Sequence, residues 1–194
     1  MSNTANLLHI DIDSTITLRH ITLEDANDIF HTIDSQREYL ERWLPFVPFT
    51  QTVNDSIAFV KSTLNVPPNQ AELLFTIRYN NEFIGLIGFK DTDRANRKTE
   101  IGYWLSEAMQ GRGIVTKSVK ALVCYAFDEL DINWVQIKCA VGNTPSKRIP
   151  QRLGFVLEGI ERDGELLANG QFTDLEVYSL TGSDYGEEWQ KNEK

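Results

Sequence analysis

Residues 100–127 read E-I-G-Y-W-L-S-E-A-M-Q-G-R-G-I-V-T-K-S-V-K-A-L-V-C-Y-A-F. The apolar run 101–105 predicts a short buried strand. A turn rich in small residues follows. Beyond it Val115, Val119, Leu122, Val123, Ala126 and Phe127 recur at helical spacing and predict an amphipathic helix. Strand, glycine-rich turn and helix, in that order, offer free backbone N–H groups and the positive end of a helix to a phosphate. The dinucleotide fingerprint G-x-G-x-x-G fails here, because Thr116 holds its third glycine position. A phosphate loop of the G-x-x-x-x-G-K-[ST] kind nearly fits 111–118 and fails at the same threonine, with a branched Val115 before it.

The rest of the chain bounds what such a turn can serve. Its 194 residues suit one domain spanning 1–194, and 41% hydrophobic with 24% charged residues is a globular composition. The formal charge of −9 argues against sequence-independent nucleic-acid binding, which needs a basic face, and suits a cationic or amine substrate. Cys124 and Cys139 read as buried small hydrophobes in a reducing compartment. The opening M-S-N-T-A-N-L-L-H lacks the pattern of a signal peptide, and no apolar run reaches the ~18 residues of a membrane span. These features lead to the expectation of a cytoplasmic enzyme or binding protein. His9, His20 and His31 sit near the first strand and helix, and no His/Cys/carboxylate spacing suits a metal.

Taken in order, 14–20 alternates as a first strand, and Thr22 to Asp25 approximates a capping box ahead of the stripe Ala26, Ile29, Phe30 and Ile33. Residues 36–44 continue helically up to Pro45. The apolar, proline-broken 43–49 (W-L-P-F-V-P-F) is either a loop lining a pocket or a plug over the core. A further helix covers 54–64, and Pro67-Pro68-Asn69-Gln70 breaks the pattern. Strands 72–79 and 82–89 join at Asn80-Asn81 as a hairpin, and 91–99 reads as a polar loop. After the central strand and helix, 133–141 alternates into a strand that one crossover makes parallel to 101–105. Strands over 155–162 and 171–180 follow, with hairpin chemistry at Asp163-Gly164 and Asn169-Gly170, then a weak helix over 183–191. The order predicts a single α+β domain on a mixed sheet.

Gln110-Gly111-Arg112-Gly113-Ile114-Val115 resembles the coenzyme A loop Q/R-x-x-G-x-G/A of the GNAT acetyltransferases at every place but the last. A second segment, Asn143-Thr144-Pro145-Ser146 followed by Gly154-Phe155, resembles the N-x-x-S…G-F of the same superfamily, in the right order and at a fitting distance. G-Y-W-L at 102–105, Leu157-Glu158-Gly159 and the tail Asn169-Gly170…Asp174…Tyr178-Ser179-Leu180 are similar to the RimJ/RimL branch, which acetylates protein N-termini, typically of ribosomal proteins.

The resemblance implies a mostly antiparallel sheet with one splayed parallel pair, flanked by helices, and acetyl-CoA as cosubstrate without a metal. Amides of Gly111, Arg112, Gly113, Ile114, Val115 and Thr116 would meet the pyrophosphate, with Gln110 opening the loop and Asn143 also on the cofactor side. Thr116 is also placed to cap the helix. Tyr103, Trp104 and Leu105 match the strand that meets the pantetheine arm. Glu165 is the first choice for the base that frees the amine, and Glu100 on the central strand the second. Ser146 is the motif-matched donor to the departing thiolate, because Pro150 stands where the family's tyrosine acid would be. Pro150 also invites a helix starting at Ser146 with that serine as N-cap. A homodimer is compatible with the resemblance. The alternatives are an acetyltransferase of small amines (polyamines or aminoglycosides) and a non-catalytic acyl-CoA-binding module.

Overall fold

Asn80 and Asn81 take left-handed backbone angles, φ 49° and 68°, as a tight two-residue hairpin loop requires. They fold β3 (Leu74–Tyr79) onto β4 (Glu82–Asp93) in the computed structural model, which describes residues 8–66, 72–186 and Trp189. The break at 67–70, the opening residues 1–7 and, of the helix expected over 183–191, residues 187–188 and 190–191 lie outside the described residues, while 183–186 form a turn rather than helix. The Thr22/Asp25 capping box forms, and a 3-10 turn leads from it into α1 (Ala26–Asp34). Then come α2 (Arg37–Glu41) and α3 (Val53–Leu64). The remaining elements are β5 (Lys98–Leu105), α4 (Ile114–Asp128), β6 (Trp134–Ala140), α5 (Thr144–Arg152), β7 (Val156–Leu166) and β8 (Phe172–Thr181). The first expected strand is β2 (Ile16–His20), and a short β1 (His9–Asp11) that the sequence did not reveal pairs with it.

The eight strands form one sheet in the order β1-β2-β3-β4-β5-β6-β8-β7. Each neighbouring pair is antiparallel except β5 with β6. This is the mostly antiparallel α+β sheet with one parallel pair that the resemblance implied. Two expected loops differ. The polar stretch 91–99 is strand at both ends: Asp93 pairs with Lys98, which leaves 94–97 as the turn. Strands that run past the core into solvent need no apolar residues there. Asp163-Gly164 makes a bulge within β7 rather than a turn, with Asp163 at φ 51° and the pairing shifted between Glu161 and Glu165. The β7–β8 hairpin turns instead around Asn169-Gly170.

Both faces are covered. Ile101 and Leu105 pack with Ile114, Val119, Leu122 and Val123 of α4, while Trp104 joins Ile29, Ile33, Val47 and Val60 on the opposite side. Neighbouring residues of one strand thus anchor both layers, as the period of two dictates. Among the described residues no helix is long and apolar enough to cross a membrane.

Candidate active site

β5 and β6 pair at only three positions, Lys98 with Trp134, Thr99 with Val135 and Glu100 with Gln136. Beyond Glu100 they part. β5 stays on β4 to Leu105, and β6 stays on β8 to Ala140, so each strand is held by its outer neighbour alone. Their inner edges diverge into a cleft of ≈ 1430 Å³. It is lined by Tyr103, Trp104 and Leu105, by Gln110, Gly111 and Gly113 to Thr116, and by Asn143 and Ser146. Every residue assigned from the sequence to cofactor binding is there except Arg112, whose guanidinium lies 6.0 Å from the ring centroid of Tyr79.

The loop before α4 is shaped for close approach. Gly111 and Gly113 both sit at φ 73°, where a side chain would be strained, and neither has an atom within 4 Å of where a Cβ would stand. Gly113 is the N-cap of α4 and no side chain caps that end, which corrects the expectation that Thr116 would do so. The first amides of α4 precede any intrahelical acceptor. Lys117 N donating to Gly113 O at 3.0 Å begins the ladder. Val115, the departure from the loop signature, is 8% exposed and packs in the core, which is how a branched residue is accommodated there. Although the chain is strongly acidic, the cleft carries Arg37, Arg42, Lys117, Arg148 and Arg152 against Asp34, Glu38 and Glu107. Free amides, a helix N-terminus and surplus cations fit a pyrophosphate-bearing ligand.

The far wall is α5. Asn143 caps it, its Oδ1 accepting from Ser146 N at 3.3 Å, and Pro145 occupies the first turn. The expected cap at Ser146 is therefore corrected: the helix begins earlier and Pro150 lies inside it. The Ser146 hydroxyl instead lies 3.2 Å from the Tyr103 hydroxyl and 3.4 Å from Cys139 Sγ. Burial pushes the Tyr103 phenol well above its usual range and the Cys139 thiol up to about 11, so both keep their protons at neutral pH.

The two carboxylates lie elsewhere. Glu100 is 2% exposed, with Lys90 Nζ at 2.8 Å and Gln136 Nε2 at 2.9 Å. Glu165 stands half-buried on β7 opposite Thr173, not on a rim turn. Neither is among the residues lining the cleft. They share one neighbourhood, since both hold up the Lys90 ammonium against the burial that would lower its pKa, Glu100 more strongly.

Sequence reasoning missed the arm formed by the end of α1 and α2. Gln36 accepts from Glu107 N at 2.8 Å and donates to Ser106 Oγ at 3.3 Å. Tyr39 hydrogen-bonds Gln110 of the loop. Arg37 clamps the 43–50 segment by donating to the carbonyls of Val47 (3.1 Å) and Thr50 (2.5 Å). That segment does both things anticipated for it: Trp43 and Leu44 line the cleft, while Val47 is fully buried as a plug. The aromatic, proline-broken composition was the available signal.

A parallel pair forced open beside a glycine loop and a helix N-terminus defines a protein that accepts an extended, phosphate-bearing acyl carrier between two strands. The acetyltransferase (GNAT) domain family matches residues 15–156, and the chain belongs to that family of acetyl-CoA-dependent N-acetyltransferases. It is similar to a putative ribosomal N-acetyltransferase, YdaF, of Bacillus subtilis (strain 168), with 36% identity over 174 residues, 87% of this chain and 92% of the relative. Among solved structures it resembles RimL, a ribosomal L7/L12 alpha-N-protein acetyltransferase in complex with coenzyme A (TM-score 0.86, 25% identity, 91% of this chain and 99% of that one). It also resembles the microcin C7 self-immunity acetyltransferase MccE in complex with acetyl-CoA and AMP (TM-score 0.84, 31% identity, 89% and 95%).

Proposed function

We propose that this acetyltransferase acts in the cytoplasm on the N-terminal α-amine of a protein, a ribosomal protein being the favoured class. The observation that carries the reading is the near full-length similarity to YdaF, supported by the likeness to RimL. Bound at the cleft, acetyl-CoA supplies an activated acetyl thioester. The amides of 111–116 and the cations around them hold its phosphates, and the diverging edges of β5 and β6 orient the rest. Asp34 and Glu38 line the same cleft and attract a cationic amine. An α-amine with pKa near ~7.7–8.0 is partly protonated at neutral pH and must lose a proton to attack. Glu165 remains the first choice for that base and Glu100 the second, each working through water because neither lines the cleft. Ser146 protonates the departing thiolate.

Release of free thiol from acetyl-CoA, measured against N-terminal peptides of ribosomal proteins and a panel of polyamines and aminoglycosides, tests the reading. Turnover concentrated on peptides is expected. Turnover confined to small amines would overturn the acceptor class, and none at all would leave a binding module.

A further inference from the structure

We propose that Tyr103 is the positioning residue of a two-hydroxyl relay, its phenol passing a proton to Ser146 as Ser146 gives its own to the departing thiolate. The inference rests on Ser146 as the acid of the proposed reaction and extends it to a second residue.

Three local facts make the pair. Pro150 has no N–H, so the Ser146 carbonyl lacks the i+4 donor that a regular α5 would supply. The Tyr103 hydroxyl donates to that carbonyl at 3.2 Å and lies 3.2 Å from the serine hydroxyl, so its one proton has two acceptors side by side. Asn143 supplies the helix cap, which leaves the Ser146 side chain free of that duty. A serine hydroxyl has one proton and two lone pairs. When the phenol turns its one proton from the Ser146 carbonyl to Ser146 Oγ, 3.2 Å away, the serine hydroxyl is free to give up its own, with the Cys139 thiol 3.4 Å away on the same oxygen. Ser146 and Tyr103 both line the cleft, so in the relay the acceptor of that proton lies within it. Because Tyr103 stays protonated well past its usual range, the relay is loaded at every physiological pH.

The step balances without another reactant. The amine nitrogen bonds the acetyl carbon as the C–S bond breaks. Sulfur takes the Ser146 proton and Ser146 takes that of Tyr103. The proton that the amine gives to its base is passed on through water to the phenolate, so no net proton is gained or lost.

The test compares Tyr103→Phe, Ser146→Ala and the double variant with the parent. Each single change is expected to lower kcat by roughly tenfold or more, within the ~10²–10⁴-fold worth of acid catalysis. KM for acetyl-CoA should stay within about twofold, and the double variant should be no slower than Ser146→Ala. A measurement without turnover accompanies these: calorimetric affinity for coenzyme A across pH, with desulfo-coenzyme A as the thiol-free control. In the parent, affinity for coenzyme A should rise as its thiol ionises, because a hydrogen-bond donor awaits the thiolate. Both single variants should flatten that rise while the desulfo compound binds as before, which also shows that the cleft is intact. Additive losses in the double variant, or a Tyr103→Phe that matches the parent in kcat and in titration, overturns the relay and leaves Ser146 as a lone acid. If Ser146→Ala matches the parent too, the acid assignment falls with it. If the parent acetylates no amine, the proposed function fails, and the titration alone decides whether the two hydroxyls act together.

Discussion

Asn143 and Ser146 divide between them what the sequence assigned to one serine. The cap belongs to Asn143, so Asn143→Ala should cost about 1 kcal/mol of stability, whereas Ser146→Ala should leave the melting temperature nearly unchanged and lower kcat. Thermal denaturation and kinetics on both variants check this, and a Ser146→Ala destabilised as much as Asn143→Ala would contradict it. The carboxylates separate in the same way. Glu100 is engaged by Lys90 and Gln136. Glu165 pairs in the sheet with Thr173 and faces the same Lys90 ammonium less closely. Glu165→Gln should lower kcat/KM most at moderate pH and much less at high pH, where the amine is already neutral, with acetyl-CoA binding unchanged. If Glu165→Gln follows the parent across the pH range and Glu100→Gln does not, the base sits on β5. If neither profile moves, solvent takes the proton and positioning does the rest.

At the scale of elements, the loop into α4 was legible because glycine chemistry is local: Gly111 and Gly113 stand where left-handed angles are needed, and the apolar spacing of α4 names its buried face. The same locality makes a firm test. A side chain at Gly113 meets no atom within 4 Å, and the left-handed angle costs it about 1–2 kcal/mol, so Gly113→Glu should remain folded. It nonetheless puts bulk and negative charge where phosphate must approach. Calorimetry should show acetyl-CoA affinity lost while circular dichroism matches the parent, and unchanged affinity in the folded variant would remove the loop from the binding site. What the sequence concealed was long-range or degenerate. Gln36 and Tyr39 meet Glu107 and Gln110 across 71 residues, a contact no window of sequence contains. Asp-Gly at 163–164 carries the same chemistry for a bulge as for a hairpin turn, so the residues alone cannot choose. β1 is three residues long, too short for alternation to register. The Tyr103–Ser146 pair was hidden too, because a strand position read for its backbone also aims a hydroxyl at the first turns of α5.

For the whole molecule, one acidic chain holds two electrostatic regimes. The formal charge is −9, yet cations outnumber carboxylates in the cleft, so the negative field faces an amine while the cleft faces a polyphosphate. The buried thiol beside Ser146 links chemistry to stability. Cys139 is 2% exposed and its thiol is pushed from 9.0 to about 11 by burial. Between those two values the unfolded chain has released this proton and the folded one has not. The unfolded state then binds fewer protons, so stability is complete below about pH 9 and falls as pH rises through 11. At about 1.36 kcal/mol per unit the loss from this thiol approaches roughly 3 kcal/mol. Tyr103 acts in the same direction, since its folded phenol also resists ionisation. Urea denaturation at pH 8, 9.5 and 11 should therefore show the midpoint dropping across the series. Cys139→Ala should start from a lower midpoint, because a buried group is removed, and should decline less steeply with pH. An equal decline in parent and variant would mean that the Cys139 thiol ionises as freely in the folded protein as in the unfolded chain.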